Sequence, residues 1–203
     1  NLENPEKRKD ETKESYIEQA QNVINLFKAR EEKGKPLDRE EYYKTQEKIN
    51  YHIDDNSLGE GTPKEKVARN IEAIRLLKKL EEEKRLANEN EQKILSNYVG
   101  WGGLPDVFDE KKTSWSEEYN TLKGLLSTEE YESARASTLT AFYTPPVVIS
   151  AIYQTLQNMG VEQANILEPS CGTGNFLGML PNGLQNSNLY GIELDSISGR
   201  IAK

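Results

Sequence analysis

From its first third onward the chain sets short apolar stripes against long charged faces. Tyr16, Ala20, Val23, Ile24 and Phe27 recur at helical spacing, which predicts an amphipathic helix ended near Gly34 and Pro36. Residues 37–49, LDREEYYKTQEKI, predict a second helix, and HIDDNSLGEGTP after it has the composition of a loop. The next start signal is complete. Thr62 is placed as an N-cap, Pro63 as the first helical residue, and Glu65 three residues after Thr62 makes a capping box. Val67, Ile71, Ile74, Leu77 and Leu80 then form one face of a helix running to about Leu86. Its charges, Arg69, Arg75, Lys78, Lys79 and Glu81 to Glu83, interleave both signs and read as a solvated face.

NYVGWGGLPDVFD, residues 97–109, interrupts this pattern with three glycines and a proline around Trp101. Two readings of Trp101 stand side by side: a plug in a seam between subdomains, or a surface that stacks on a base or another planar ligand. Short helices follow, one of them opened by a Ser127/Glu130 capping box.

Beyond Ser137 the periodicity changes. STLTAFYTPPVVISAIYQTLQNMG predicts an extended segment, then a helix with Thr144 as N-cap and Pro145 at its first position. Val148, Ile152, Leu156 and Met159 supply its apolar stripe, and Gly160 its stop. ANILE reads as a short strand, EPSCGTGN as a loop, NFLGML as a helix start, LYGIE as a second strand ending at Glu193, and LDSISGRIAK as a turn into a helix. Strand, glycine-rich loop, helix and strand within about 30 residues make a βαβ unit, which predicts parallel pairing with a right-handed crossover. The expected class is therefore α/β, mostly helical overall.

Composition narrows the functions available. Of 203 residues, 35% are apolar and 30% charged, which suits long solvated helices around a modest core. Cys171 is the one cysteine and His52 the one histidine, which rules out an internal disulfide and any site needing several imidazoles. No metal is expected. No apolar stretch approaches the roughly 20 residues that cross a bilayer, so the expectation is a cytoplasmic protein with no membrane partner. The net charge of −8 lends nucleic-acid binding no general support. A start at Asn1 without methionine and an end at Lys203 inside a helical pattern suggest a piece of a longer polypeptide, whose remainder would be a partner.

ILEPSCGTGNFLG, residues 166–178, carries the candidate chemistry. A glycine-rich turn after a strand lets a ligand approach the backbone at a helix N-terminus. A triphosphate loop would need Gly-Lys-Ser/Thr, whereas Gly174 is followed by Asn175 and Phe176. The dinucleotide fingerprint fails by one residue, since Leu177 holds the third glycine's place and Gly178 follows. Glu168 and Glu193 sit at the carboxyl ends of the two strands. The second suits a ribose diol, and the first favours a ligand with a cationic group, a pair of demands met by S-adenosyl-L-methionine. The alternative is that Glu168 caps the adjacent turn and Glu193 is solvated.

EPSCGTGNFL resembles the first cofactor motif of class I methyltransferases, YGIELD their second, and AFYTPP the motif that precedes both in N6-adenine DNA methyltransferases. LGEGTPKEKVARNIEAIRLLKKLE with YVGWGGLPDVF is similar to the region ahead of the methylase motifs in large methylase-helicase proteins of phages, plasmids and conjugative elements. The resemblance spans roughly residues 50–203. It implies a helical N-terminal region, 1–113, followed by the start of a Rossmann-like methyltransferase domain, 114–203. It also implies cofactor-binding roles for Tyr143 and Thr144 at the methionine part, Glu168 near the amino group, and Gly172 and Gly174 for backbone approach, with Glu193 at the ribose and Pro169 and Phe176 completing the motif. Cys171 lies inside the loop as a small turn residue, not as a nucleophile. The family's Asn/Asp/Ser-Pro-Pro-aromatic catalytic motif is absent, because Pro145 and Pro146 belong to the upstream motif. The expectation is a chain that holds cofactor motifs, carries no catalytic residue, and transfers no methyl group alone; DNA would be a partner of the full-length protein. The rivals are a non-catalytic interaction module and a methyltransferase acting on RNA or protein.

Overall fold

The structure, a computed structural model, describes residues 50–203. Both helices expected before residue 50 lie outside the described residues. Asn50–Glu83 and Ala87–Lys203 form one compact unit, while Lys84–Leu86 group apart, with Lys84 in the left-handed region at φ 53°.

Helix α1, Pro63–Glu83, begins at the expected capping box. The Thr62 N–H and hydroxyl both donate to Glu65 Oε2, at 2.7 and 2.8 Å, and the Glu65 N–H reaches Thr62 Oγ1 at 3.4 Å. These bonds satisfy amides that the first turn cannot, and they hold the Glu65 carboxyl below its ordinary pKa. All five expected apolar positions, Val67, Ile71, Ile74, Leu77 and Leu80, are buried, each worth about 1.5–3 kcal/mol relative to exposure. The charged face is less uniformly solvated than its pattern suggested. Lys78 is paired with Glu130 at 2.8 Å, and Glu81 lies 3.4 Å from Arg200 Nε. Interleaved signs in the sequence carry no information about which of these charges meets another element.

Helix α2, Glu89–Ser96, has a capping box of its own, Asn88 with Glu91. The three-residue spacing that marks it was present in the sequence but had no long apolar stripe behind it. A 3₁₀ turn at Pro105–Phe108 and another at Thr113–Trp115 lead to α3, Ser116–Leu125. Helix α4, Thr128–Ala136, opens on the expected Ser127/Glu130 box. Trp101 settles as a plug: it is 1% exposed, with Phe108 edge-on at a centroid distance of 5.1 Å and Tyr98 at 6.3 Å. Its faces are used by protein side chains and offer nothing to a planar ligand.

Helix α5 spans Pro146–Asn158, one residue later than expected, with Pro145 and not Thr144 at the N-cap. The cause is the proline pair. Pro146 forces the residue before it into extended backbone, and Pro145 accordingly sits at ψ 145°, outside the helix. The buried stripe is also different. Ile149 and Tyr153 are buried and Leu156 is packed beside them, whereas Val148, Ile152 and Met159 of the expected stripe are exposed. Two apolar stripes compete on this helix, and neighbouring elements decide between them. Gly160 stops it as expected, at φ 82°, with its N–H on the Gln157 carbonyl and the Val161 N–H on Leu156, the paired bonds of a Schellman ending.

Strands β1, Asn165–Glu168, and β2, Asn188–Gly191, pair in parallel, with Asn165 opposite Asn188 and Glu168 opposite Gly191. Between them lie the short helix α6, Asn175–Gly178, and a 3₁₀ turn at Asn182–Leu184. Helix α7, Ser196–Ile201, follows β2. The described residues are thus mostly helical with one two-stranded parallel sheet, a composition compatible with the α/β class.

Two apolar clusters hold the unit. The larger joins α1 to α4 and takes in Trp101, Trp115, Ile197 and, at its edge, Tyr143, so it includes residues on both sides of residue 113. The smaller joins Ile149, Tyr153, Leu180 and Leu184 with Ile166 and Leu189, one residue from each strand. Period-2 alternation turns Leu167 and Tyr190 to the other side of the sheet, where both are exposed. Among the described residues no helix is long and apolar enough to cross a membrane, and no group of three or more His, Cys, Asp or Glu side chains could hold a metal ion.

Candidate functional site

The site is built where the glycine loop crosses the carboxyl ends of the two strands. β2 ends at Gly191, so Glu193 lies two residues past the strand in place of ending it. Pairing nevertheless continues around the loop: the Ile192 N–H donates to the Glu168 carbonyl at 2.9 Å and the Cys171 N–H to the Ile192 carbonyl at 3.0 Å. The loop is thereby fastened to the chain leaving β2.

Glu193 fastens it a second time. Its Oε2 accepts the Gly172 N–H at 2.7 Å and its Oε1 accepts the Asp195 N–H at 2.8 Å. Each carboxylate oxygen has a further lone pair to offer. Gly172 and Gly174 adopt φ 55° and 88°, a region that costs other residues strain. A Cβ on Gly172 would stand 2.9 Å from Tyr143 Cζ, so the ring rests directly on the backbone of the loop. Gly174 is the left-handed cap of α6.

Tyr143 links three parts of the chain. Its hydroxyl donates to Ser198 Oγ at 2.9 Å, and Ser198 in turn donates to Asp195 Oδ2 at 2.6 Å while Asp195 caps α7 through the Ser198 N–H at 2.8 Å. Burial pushes the Tyr143 phenol upward, so it stays neutral as a donor. The ring also meets Gly100, whose Cβ would stand 3.0 Å from Tyr143 Cε1. The Gly102 N–H donates to the Ala141 carbonyl at 3.0 Å and the Gly103 N–H to Thr138 at 2.9 Å; a Cβ on Gly102 would overlap the Ala141 carbonyl oxygen. The 100–103 turn and the AFY segment therefore touch backbone to backbone.

Of the residues expected to line a cofactor site, Tyr143, Gly172 and Glu193 are brought together by these contacts. Gly174 is two residues along the same loop. Thr144 is half-buried and caps nothing. Glu168 is half-buried at the end of β1, where no donor reaches its carboxylate among the described residues, and Pro169 beside it is exposed. Phe176 packs into the smaller cluster, edge-on to Tyr153 at 6.2 Å, and its carbonyl accepts the Tyr153 hydroxyl at 2.7 Å. Cys171 is half-buried, and burial together with the Glu193 carboxylate pushes its thiol up, which disfavours a nucleophilic thiolate.

Three residues of this arrangement escaped sequence reasoning. Ser198 and Asp195 were readable as a cap, since an acid directly precedes the helix, but the partner of the Ser198 hydroxyl, Tyr143, lies 55 residues away. Asn70 had no local signal at all. It sits fully buried on the apolar face of α1, donating Nδ2–H to the Gly100 carbonyl at 2.6 Å and accepting the Val99 N–H at 2.9 Å. Gly178, the displaced glycine of the loop motif, is explained by a crossing chain: the Ile53 N–H donates to its carbonyl at 2.8 Å, and a Cβ there would stand 2.8 Å from Ile53 Cδ1.

No protein-family model matches this chain, and no solved structure does. Over 62 residues, 30% of its length, it is 36% identical to the type II methyltransferase M.CvrRI of Paramecium bursaria Chlorella virus XZ-6E, and it spans 16% of the length of that curated relative.

Proposed function

We propose that this chain is the cofactor-binding part of an S-adenosyl-L-methionine-dependent methyltransferase, and that its parent protein methylates adenine N6 in DNA. The observation that carries the reading is the loop: two left-handed glycines at the carboxyl ends of adjacent parallel strands, flanked by the carboxylates of Glu168 and Glu193. The partial likeness to a type II methyltransferase supports methyl transfer as the reaction class, and the βαβ unit is what the first crossover of a Rossmann-like sheet would look like.

The residues present suit the cofactor. Glu168 has a carboxylate that no donor among the described residues engages, available for an ammonium group, and Glu193 keeps one lone pair on each oxygen for ribose hydroxyls while it holds the loop. Gly172 and Gly174 remove side chains from the backbone that a ligand would approach, and Thr144 would lie toward the methionine part. Bound there, the cofactor supplies an electrophilic methyl on a sulfonium. The protein's part on this chain is to bind and orient, with no residue of its own acting on the target base; flipping and positioning of adenine belong to the remainder of the polypeptide.

Amide NMR of the chain titrated with millimolar S-adenosylmethionine tests this directly, since it registers weak binding residue by residue. Shifts at Gly172, Gly174 and Thr144, lost on Glu168→Ala, are expected. If neither this chain nor its parent polypeptide binds the cofactor, the reading gives way to a non-catalytic interaction module. Methyl transfer by the parent to RNA or protein in place of adenine would keep the site and change the substrate.

A further inference from the structure

The glycine loop is not supported by the sheet alone. We infer that Asn70 and the 100–103 turn form a positioning device for it, with Tyr143 as the piece that transmits the position. The contacts run without a gap. Asn70 holds the turn from below by bonding both the Val99 N–H and the Gly100 carbonyl, and it is the one wholly buried polar residue of α1. The turn grips the AFY segment through the Gly102 amide on the Ala141 carbonyl, and the chain just ahead of it through the Gly103 amide on the Thr138 carbonyl. Gly100 and Gly172 lie against the Tyr143 ring, each so close that a methyl group would meet it at 3.0 or 2.9 Å. Ser198 fixes the far end of that ring by its hydroxyl.

Packing this close transmits position because neither neighbour can relax toward the other: with no Cβ on either glycine, ring and backbone are already at contact distance. A buried amide that meets two backbone groups specifies one placement of the turn, and leaving those groups unmatched has a full desolvation cost. Asn70 and Gly102 are therefore positioning residues for the loop, although neither belongs to the loop or to the strands. Their bearing on ligand affinity rests on the cofactor reading above; their bearing on loop geometry does not.

Amide NMR with two variants tests the device. Asn70→Ala should displace the Gly172 and Gly174 amide resonances and weaken S-adenosylmethionine binding. Leu77→Ala, a core truncation in the same helix, should lower stability while leaving both amides in place. Unmoved glycine amides in Asn70→Ala, or equal movement in both variants, would overturn the inference. If the wild-type chain binds no cofactor, the amide comparison still decides it. Should Asn70→Ala fail to fold, native-state hydrogen exchange on the unaltered chain takes its place: Gly102, Gly103 and Gly172 amides should open together as denaturant is added. Opening of the turn amides with Gly172 still protected would refute the coupling.

Discussion

The carboxylate of Glu193 holds the backbone N–H of Gly172 at 2.7 Å, tying the chain beyond β2 to the middle of the glycine loop. Glu193 is thus a structural clasp before any ligand arrives. Glu193→Ala removes two charge-assisted bonds to backbone amides and should lower stability by about 1.5–3 kcal/mol, read from urea unfolding. A loss below about 0.5 kcal/mol would return Glu193 to the solvated residue that its sequence position also allowed.

Glycine-to-alanine changes at two positions should have opposite signs. Gly172→Ala places a Cβ in the left-handed region and 2.9 Å from Tyr143, so a loss of about 1–2 kcal/mol or more is expected. Gly124→Ala, inside α3 with nothing within 4 Å of the new methyl, should gain up to about 1 kcal/mol in helix propensity. Thermal melts of the two variants beside the wild type measure both.

Acid should loosen the joint between α1, α4 and α7. Burial by itself would raise the Glu130 pKa, but hydrogen bonds from Lys78, the Ser127 N–H and Arg200 outweigh it and bring the carboxyl from 4.5 down to about 2. Because the folded value is the lower one, this contribution is complete above about pH 4.5 and is lost as pH falls toward 2, up to about 3 kcal/mol in all. Glu130→Gln should flatten that part of the stability profile between pH 5 and 3.

Cys171 should react slowly. With its thiol raised by burial and by the neighbouring Glu193 carboxylate, its rate with a disulfide reagent at pH 8 is expected to fall below that of free glutathione. As the one thiol in the chain, it needs no competing site removed. Glu193→Gln should accelerate it, and an unchanged rate would show that burial alone governs the thiol.

Local chemistry was legible in the sequence, and long-range choice was not. Thr62 with Glu65 and Ser127 with Glu130 are three residues apart, so the bonds that make them caps follow from spacing. The parallel βαβ unit around the glycine loop was readable for the same reason, since strand, turn and helix each announce themselves within a few residues. Helix α5 stopped at Gly160 as expected, but its start and its buried stripe both differed from expectation. Its start depended on Pro146 restricting Pro145, a rule about pairs of residues, and its buried stripe on Leu180 and Leu184, which lie beyond β1 in the stretch between α6 and β2. Asn70 was invisible because a polar residue on an apolar helical face gains meaning only from the turn it meets, some 30 residues on.

The placement of the two tryptophans has a spectroscopic consequence. Trp101 and Trp115 both belong to the larger cluster, while the smaller one beneath the sheet holds Tyr153 and Phe176 and no indole. Tryptophan emission therefore watches one half of the unit and is blind to the other. If the two halves come apart in separate steps, fluorescence will report the chain intact after the strands have gone, and only a probe of the sheet itself will see them leave.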